Sequence, residues 1–308
     1  MLNTLHLYTF LVVVELGTYS AAAERLHLTQ PAVSQQISLL EKQLGDVRLF
    51  RRVAQRMVLT HAGEELLPAA REIVGLAERT EESLLALRGH ITGRVVLACS
   101  SSSGERVLPP LLAAFRARFP AVAVALEVAP AEQVVALLDE GRAQIGWLDE
   151  PQRRRGWESM PVGREPVVCC VPPQHAWLHE ETITVGMLRE QPLILPRPGT
   201  ALRRSLEEGW RRAGLHPAEL QVALECDSVG ALLAAIEGGV GLGFVPLSCQ
   251  PSHSRIGAVP LRGLPLSLEW YVVGSKDPAL GRAVHECRAF LSGREAAPLL
   301  RQAGIEAV

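Results

Sequence analysis

Three helical patterns in the first 44 residues, with only short turns between them, constrain this chain more than any other feature. Leu5, Tyr8, Phe10, Leu11, Val12, Val14 and Leu16 give residues 5–16 an apolar helical pattern that stops at Gly17, a residue suited to a C-terminal cap. Thr18 reads as the N-cap of a short helix over 19–26, whose small Ala22 and Ala23 let another helix pack closely. After a turn at His27-Leu28, Thr29 reads as the N-cap of a third helix, with Pro31 in the first turn where a missing amide is tolerated. That helix runs to Leu44 and stops at Gly45. Ala32, Val33, Ile37, Leu40 and Leu44 trace its buried stripe, which leaves Gln30, Ser34, Gln35 and Ser38 exposed. A short helix, a tight turn and a helix that begins with polar residues is the arrangement that fits a DNA major groove.

Two short extended pieces follow, at 50–52 and 57–59, and read as a hairpin. Arg48, Arg51, Arg52 and Arg56 lie in or beside it, placed to neutralise phosphates, which fixes register without reading sequence. Glutamine can pair with adenine and serine with several bases, so Gln30, Ser34 and Gln35 are the candidates for base contacts. Arg25, Lys42, Arg48, Arg51, Arg52 and Arg56 set against Glu15, Glu24, Glu41 and Asp46 leave residues 1–60 at +2, within a chain of net charge −2. The other reading of this segment is a helical packing domain with a solvated basic turn. Thr60 then caps a long helix expected to reach about Arg88. Leu66, Ala70, Ile73, Ala77, Thr80, Leu84 and Leu87 have the spacing of a coiled-coil seam, interrupted at Thr80; the alternative is a helix packed on its own domain. Pro68 should kink this helix or move its start.

Beyond a hinge at 90–94, strands and helices alternate, with strands at 95–99, 122–128, 145–148, 166–171, 193–195, 222–226, 241–245 and 268–273. Helices are expected from 100 to 119 and over 131–140, 203–213, 229–237 and 279–291. This order argues for a mostly parallel sheet with helices on both faces. Ser100, Ser101, Ser102 and Ser103 open the first of these helices, and Arg197, Gly199 and Thr200 precede another. Free amides and the positive dipole end at a helix start can hold an anion, so both loops are candidates for binding a small polar or anionic metabolite. Phe244 ends a strand near the same place. The bland reading is that the serines only cap a helix and the prolines around Arg197 only shape a loop.

At 308 residues, 48% hydrophobic and 21% charged, the composition is that of a globular protein of more than one domain. No apolar run is long enough for a membrane span, and the N-terminus lacks an export signal, so a cytoplasmic protein without membrane contact is expected. Cys99, Cys169, Cys170, Cys226, Cys249 and Cys287 have no metal or redox spacing and read as reduced, mostly buried thiols. Arg153-Arg154-Arg155 is flanked by acids and reads as a solvated loop. No metalloprotease, phosphate-loop or nucleophile-elbow motif occurs, and the glycine-rich stretch at 238–243 precedes a strand instead of following one. No catalytic residue, metal site or cofactor is therefore expected. A small-molecule-binding protein without a DNA role is the main competing class, followed by an enzyme on the same fold. Residues 1–60 discriminate, because a pure solute-binding protein has no use for a helix-turn-helix.

The string from Phe10 to Ile37, which includes Ser20-Ala21-Ala22-Ala23-Glu24-Arg25-Leu26 and Thr29-Gln30-Pro31-Ala32-Val33-Ser34-Gln35, resembles the N-terminal signature of LysR-type transcriptional regulators. Leu39-Leu40-Glu41-Lys42-Gln43-Leu44-Gly45, Leu49-Phe50-Arg51-Arg52 and Leu59-Thr60-His61-Ala62-Gly63 continue the match. The resemblance implies an all-α winged helix-turn-helix over 1–60 and a dimerising linker helix and hinge over 61–90. It also implies a two-lobed α/β effector domain of the periplasmic-binding-protein type over 91–308. Lobe I would be 91–163 with 266–308, and lobe II 164–265, with chain crossings near Gly163 and Pro265. Promoter DNA would be read by Thr29, Gln30, Pro31, Ser34 and Gln35, with Arg51, Arg52 and Arg56 on the backbone. Position 35 is often arginine in the family, so Gln35 departs from the pattern. The family implies an effector in the cleft between the two loops named above, a homodimer that assembles into a tetramer on interrupted palindromes, and RNA polymerase as a further partner.

Overall fold

The computed structural model describes residues 2–86, 90–180, 183–250, 255–277 and 280–308. The chain divides into two compact units, 1–90 and 91–308. In the first, α1 (Thr4–Leu16), α2 (Tyr19–Leu26) and α3 (Gln30–Gln43) begin and end where local chemistry dictates. The Asn3 side chain accepts the Leu5 amide at 2.9 Å, and Gly17, at φ 72°, returns its own amide to the Val13 carbonyl. Thr18 accepts from Ala21 at 3.1 Å and Thr29 from Ala32 at 3.4 Å, so each hydroxyl satisfies one of the free amides of a first turn. Leu7, Phe10, Val13, Val33, Ile37 and Leu40 fill the core between the three helices. β1 (Phe50–Val53) and β2 (Arg56–Leu59) pair antiparallel with Phe50 opposite Leu59, and the Phe50 ring packs 5.2 Å from that of Phe10. The Met57 amide donates to the Gly17 carbonyl at 2.7 Å and so ties the hairpin to the end of α1.

α4 (His61–Ala86) starts on the Thr60 hydroxyl, which accepts the Gly63 amide at 3.2 Å, and continues unbroken past Pro68; its start is not displaced. Ala70 and Val74 are buried in the core of the first unit, with Leu66, Leu67 and Ile73 packed against it. The expected seam is therefore split: Leu66, Ala70 and Ile73 cover the unit's own core, while Thr80 and Leu84 are exposed, Leu84 by 60%; Leu76, outside that seam, is 56% exposed. Leu87 and the expected helix end at Arg88 lie outside the described residues.

The second unit opens with β3 (Gly93–Cys99), α5 (Leu108–Arg118), β4 (Val122–Val128), α6 (Ala131–Asp139) and β5 (Ile145–Leu148). A long strand, β6 (Trp157–Val171), follows. Then come β7 (Ile183–Thr184), β8 (Pro192–Pro196), α7 (Ala201–Arg212), β9 (Gln221–Cys226), α8 (Val229–Glu237), β10 (Leu242–Pro246), β11 (Gly257–Val259) and β12 (Leu261–Arg262). β13 (Ser267–Ser275), α9 (Arg282–Leu291), α10 (Ala297–Gln302) and β14 (Glu306–Ala307) close the chain; Ala279, where the last long helix was expected to begin, lies outside the described residues.

The main sheet runs β4-β3-β5-β13-β6-β10-β8-β9. Its flanks are parallel, β3 with β4 and β5 at one end, β8 with β9 and β10 at the other. The centre is antiparallel, so the sheet is mixed and not mostly parallel: β13 pairs with β5 and β6, and β6 with β10. The reason is that β6 leads out of one lobe and β13 leads back, and two such strands side by side must run in opposite directions. β6 spans fifteen residues because one continuous strand serves both lobes; only 166–171 of it carries an apolar run that reads as a strand. Pro161 has no amide to give the ladder, and the register shifts there, leaving Val162 opposite no residue of β13. Gly163 follows, and a Cβ on it would stand 2.5 Å from the Glu306 carbonyl oxygen, so the close approach of β14 requires glycine. Helices cover both faces of each lobe: α5 and α9 oppose α6 in the first, α7 opposes α8 in the second.

Candidate functional site

In the first unit the polar start of α3 and the hairpin carry the candidate contacts. Thr29, Gln30, Pro31 and Gln35 are exposed and Ser34 is half-buried, with Gln30 and Ser34 one helical turn apart. Arg51, Arg52 and Arg56 are exposed on the two strands. Thr29 spends its hydroxyl on the cap. Among the described residues, no side chain of the molecule bonds to the side chains of Gln30, Ser34, Gln35, Arg51, Arg52 or Arg56. Arg48 differs: it is held at 2.8 Å by Glu41, whose other oxygen accepts the Leu49 amide at 2.9 Å. Glu41 is buried, so this carboxylate fixes the start of the hairpin against α3 and withdraws Arg48 from the set of free cations. Sequence reading missed Glu41 because nothing local marks an acid in a buried stripe as a tether.

In the second unit, Ser100, Ser101 and Ser102 come together with Arg197, Pro198, Gly199 and Thr200 on one cavity of about 580 Å³. Pro130, Ala131 and Glu132 at the start of α6, and Asp227, Ser228 and Val229 at the start of α8, line it as well. The amino ends that face the cavity thus include those of α6, α7 and α8 and of the turn leading into α5. Thr200 accepts the Arg203 amide at 3.3 Å and Ser228 the Ala231 amide at 3.2 Å, each leaving further first-turn amides to be satisfied. Arg197 is paired with Asp227 at 2.6 Å, so its charge is already taken up, and both side chains are about two-thirds exposed. Leu202, Leu232, Leu268 and Trp270 supply apolar wall. Ser228 could have been found from its N-cap position before an apolar helix. Trp270 carries no sequence signal beyond an ordinary strand.

Two expected residues lie elsewhere. Ser103 is fully buried, with no hydrogen-bond partner for its hydroxyl, and does not line the cavity. It begins a π-helical turn, Ser103–Val107, in which the Leu108 amide reaches back to the Ser103 carbonyl. Pro109 and Pro110 come next; neither can donate to the carbonyl four residues earlier, and the helix widens where that ladder fails. Phe244 is also buried, its ring 5.7 Å from Trp210, and lines a different cavity, of about 780 Å³, with Arg204, Glu208 and Arg212. Successive residues of β10 face opposite sides of the sheet, and Phe244 takes the side covered by α7.

Asp149, at the end of β5, borders both cavities. Its side chain is almost fully buried, 3.3 Å from Arg204, which also holds Glu150 at 2.9 Å. Burial raises the Asp149 carboxyl above the usual aspartate range, while a backbone hydrogen bond and Arg204 pull the other way. Burial likewise raises Glu165, against hydrogen bonds from Ser248 and Trp270. Burial pushes the thiols of Cys99, Cys170, Cys249 and Cys287 up to about 12, so these are not thiolates near neutrality. Of the arginine run, Arg154 is paired with Asp139 and lies over the Trp157 ring. Among the described residues no helix is long and apolar enough to cross a membrane.

Residues 5–64 match the model of the bacterial regulatory helix-turn-helix protein, lysR family, and residues 88–296 match that of the LysR substrate binding domain. The chain is 28% identical to the HTH-type transcriptional activator CmpR of Synechocystis sp. over 281 residues, 90% of this chain and 91% of that one. It is 30% identical to the HTH-type transcriptional regulator CfxR of Cupriavidus necator over 301 residues, 97% of this chain and 93% of that one. The crystal structure of full-length CbnR complexed with its target DNA superposes with a TM-score of 0.66 at 28% identity, covering 94% of this chain and all of that one. These relatives are regulators and not enzymes. The chain belongs to the LysR family of transcriptional regulators, with a helix-turn-helix DNA-binding domain followed by an effector-binding domain.

Proposed function

We propose that this regulator answers to a small metabolite carrying a carboxylate or a comparable oxyanion, bound in the cavity of about 580 Å³. The observation that carries this reading is the convergence of helix amino ends on a cavity where Arg197 is already paired with Asp227. Such ends offer amide donors and the positive pole of the helix dipole. The serine and threonine hydroxyls add orientation, and Leu202, Leu232, Leu268 and Trp270 accept a short apolar body. The cavity draws walls from both lobes, so a ligand binds one lobe arrangement better than another, and that difference is what shifts the DNA-binding state.

On the DNA, Gln30, Ser34 and Gln35 read base edges while Arg51, Arg52 and Arg56 hold phosphates, a reading supported by the lack of side-chain partners for these residues among the described ones. Two copies join through the exposed lower stripe of α4, Leu76 and Leu84, and the dimers assemble into the tetramer common in the family, in the bacterial cytoplasm. Genome-wide mapping of the DNA recovered with the protein tests the first half: discrete sites sharing an interrupted palindrome are expected, and no enriched DNA under several growth conditions counts against it. Thermal unfolding of the full chain with sulfate and a panel of small carboxylates tests the second. A binding anion at a hundredfold excess over its Kd stabilises by about 2.7 kcal/mol. Stabilisation by neutral compounds alone refutes the anion.

A further inference from the structure

Glu165 lies on β6 at the crossing between the lobes, opposite Leu268 of β13 and two residues before β6 takes up β10. Its side chain is completely buried. One carboxylate oxygen accepts the Ser248 amide at 2.9 Å and the other the Trp270 indole N–H at 2.7 Å. A buried carboxylate held by neutral donors is costly compared with an apolar side chain of the same size, so its presence calls for a role other than stability. Its two partners suggest one. Trp270 is part of the wall of the cavity assigned above to the effector. Ser248 sits in the short turn Leu247–Cys249 after β10, and the Cys249 thiol lies 3.7 Å from the Ser102 carbonyl, in the serine loop that forms another part of that wall.

We infer that Glu165 is a positioning residue of the effector cavity: through Trp270 it fixes one wall, and through the Ser248-Cys249 turn it holds the serine loop, so one carboxylate sets two parts of the site. The inference rests on the reading of that cavity as the effector site, but its first test needs no effector.

Hydrogen exchange of the full-length chain, followed by mass spectrometry, compares wild type with Glu165→Gln, in which an amide group faces one of the two donors. The amides of residues 100–107 should exchange about tenfold faster, the loss expected for one hydrogen bond to a charged group. Trp270→Phe keeps the Ser248 bond and should leave 100–107 at the wild-type rate. Cys249→Ala cuts the second arm alone and should accelerate 100–107. Wild-type exchange of that segment in Glu165→Gln, or equal acceleration in Trp270→Phe, overturns the inference. If Glu165→Gln fails to fold, the contrast between Trp270→Phe and Cys249→Ala decides, and no contrast overturns it. Calorimetric titration with sulfate then reads the effect on the site, with affinity about tenfold weaker expected in Glu165→Gln. A wild-type protein that takes up neither sulfate nor small carboxylates sinks the anion reading, while the exchange result still decides on Glu165.

Discussion

At the residue scale, the molecule separates side chains that have found partners from those that have not. Arg48 is committed to Glu41, whereas Arg52, a few residues on, has no side-chain partner among the described residues. Gln30→Ala should therefore cost about 1–3 kcal/mol on the best operator and relax its sequence preference. Arg52→Ala should weaken all DNA alike and lower the salt slope by about one. Affinities for matched and mismatched sites across salt concentrations check both. Asp149 gives a pH prediction. Its carboxyl is raised in the fold, chiefly by burial, so the fold favours the protonated form. Its contribution is fully present below the ordinary aspartate range and is lost as pH rises through the raised value. Wild type should lose stability relative to Asp149→Asn over that interval, and urea unfolding of both between about pH 3 and pH 7 measures it. A difference that stays flat throughout would show that Asp149 titrates as an ordinary aspartate.

At the element scale, α4 divides its labour. Ala70 and Val74 are spent on the core of the first unit, which leaves the stretch around Leu76 and Leu84 as the part able to meet a second copy. Leu84 is mostly exposed within one chain, so Leu84→Glu should leave the monomer's fold intact and weaken self-association. Sedimentation velocity over a range of concentrations reads this, and an unchanged dimer would remove α4 from the interface. α5 illustrates how two adjacent prolines act at a distance of one turn, because the carbonyls they leave unserved lie in the π-helical turn that begins at Ser103. The consequence reaches the cavity wall: Ser103 is turned inward, and of the four serines Ser100, Ser101 and Ser102 line the cavity.

At the scale of the second unit as a whole, β6 and β13 are the two strands that join the lobes through the main sheet, and side-chain ties cluster at their flanks. Arg204 of α7 reaches Asp149 and Glu150 at the end of β5, and the Ser205 hydroxyl donates to the Ser267 carbonyl at 3.1 Å. A ligand that draws the lobes together has to act against or with these ties. The expected outcome is that footprints, or the DNA bend angle from gel mobility, differ between the free and the effector-bound regulator; identical footprints with every bound ligand would argue against lobe rearrangement as the signal.

Much of this was legible in the residues themselves, and the boundary between what was and was not has a physical cause. Helix caps, hairpin strands and the polar start of α3 depend on neighbours a few positions away, and Thr18, Thr29, Thr60 and Gly17 announce them directly. The helix starts around residues 100 and 200 were visible for the same reason, and so was the idea that a site lies there. Contacts between distant segments were not. No pattern in the sequence tells that β6 continues upstream into 157–165, that Phe244 faces α7, or that Arg197 is neutralised by Asp227. Nor does any announce that a buried Glu165 joins Trp270 to Ser248. The local elements, the family and the polar start of α3 follow from short-range backbone chemistry and a linear motif, and so could be read from the residues alone. The mixed sheet, the walls of the cavity and the pairing of charges depend instead on which distant segments share a surface and which side of a strand each residue faces, and these come from the folded chain alone.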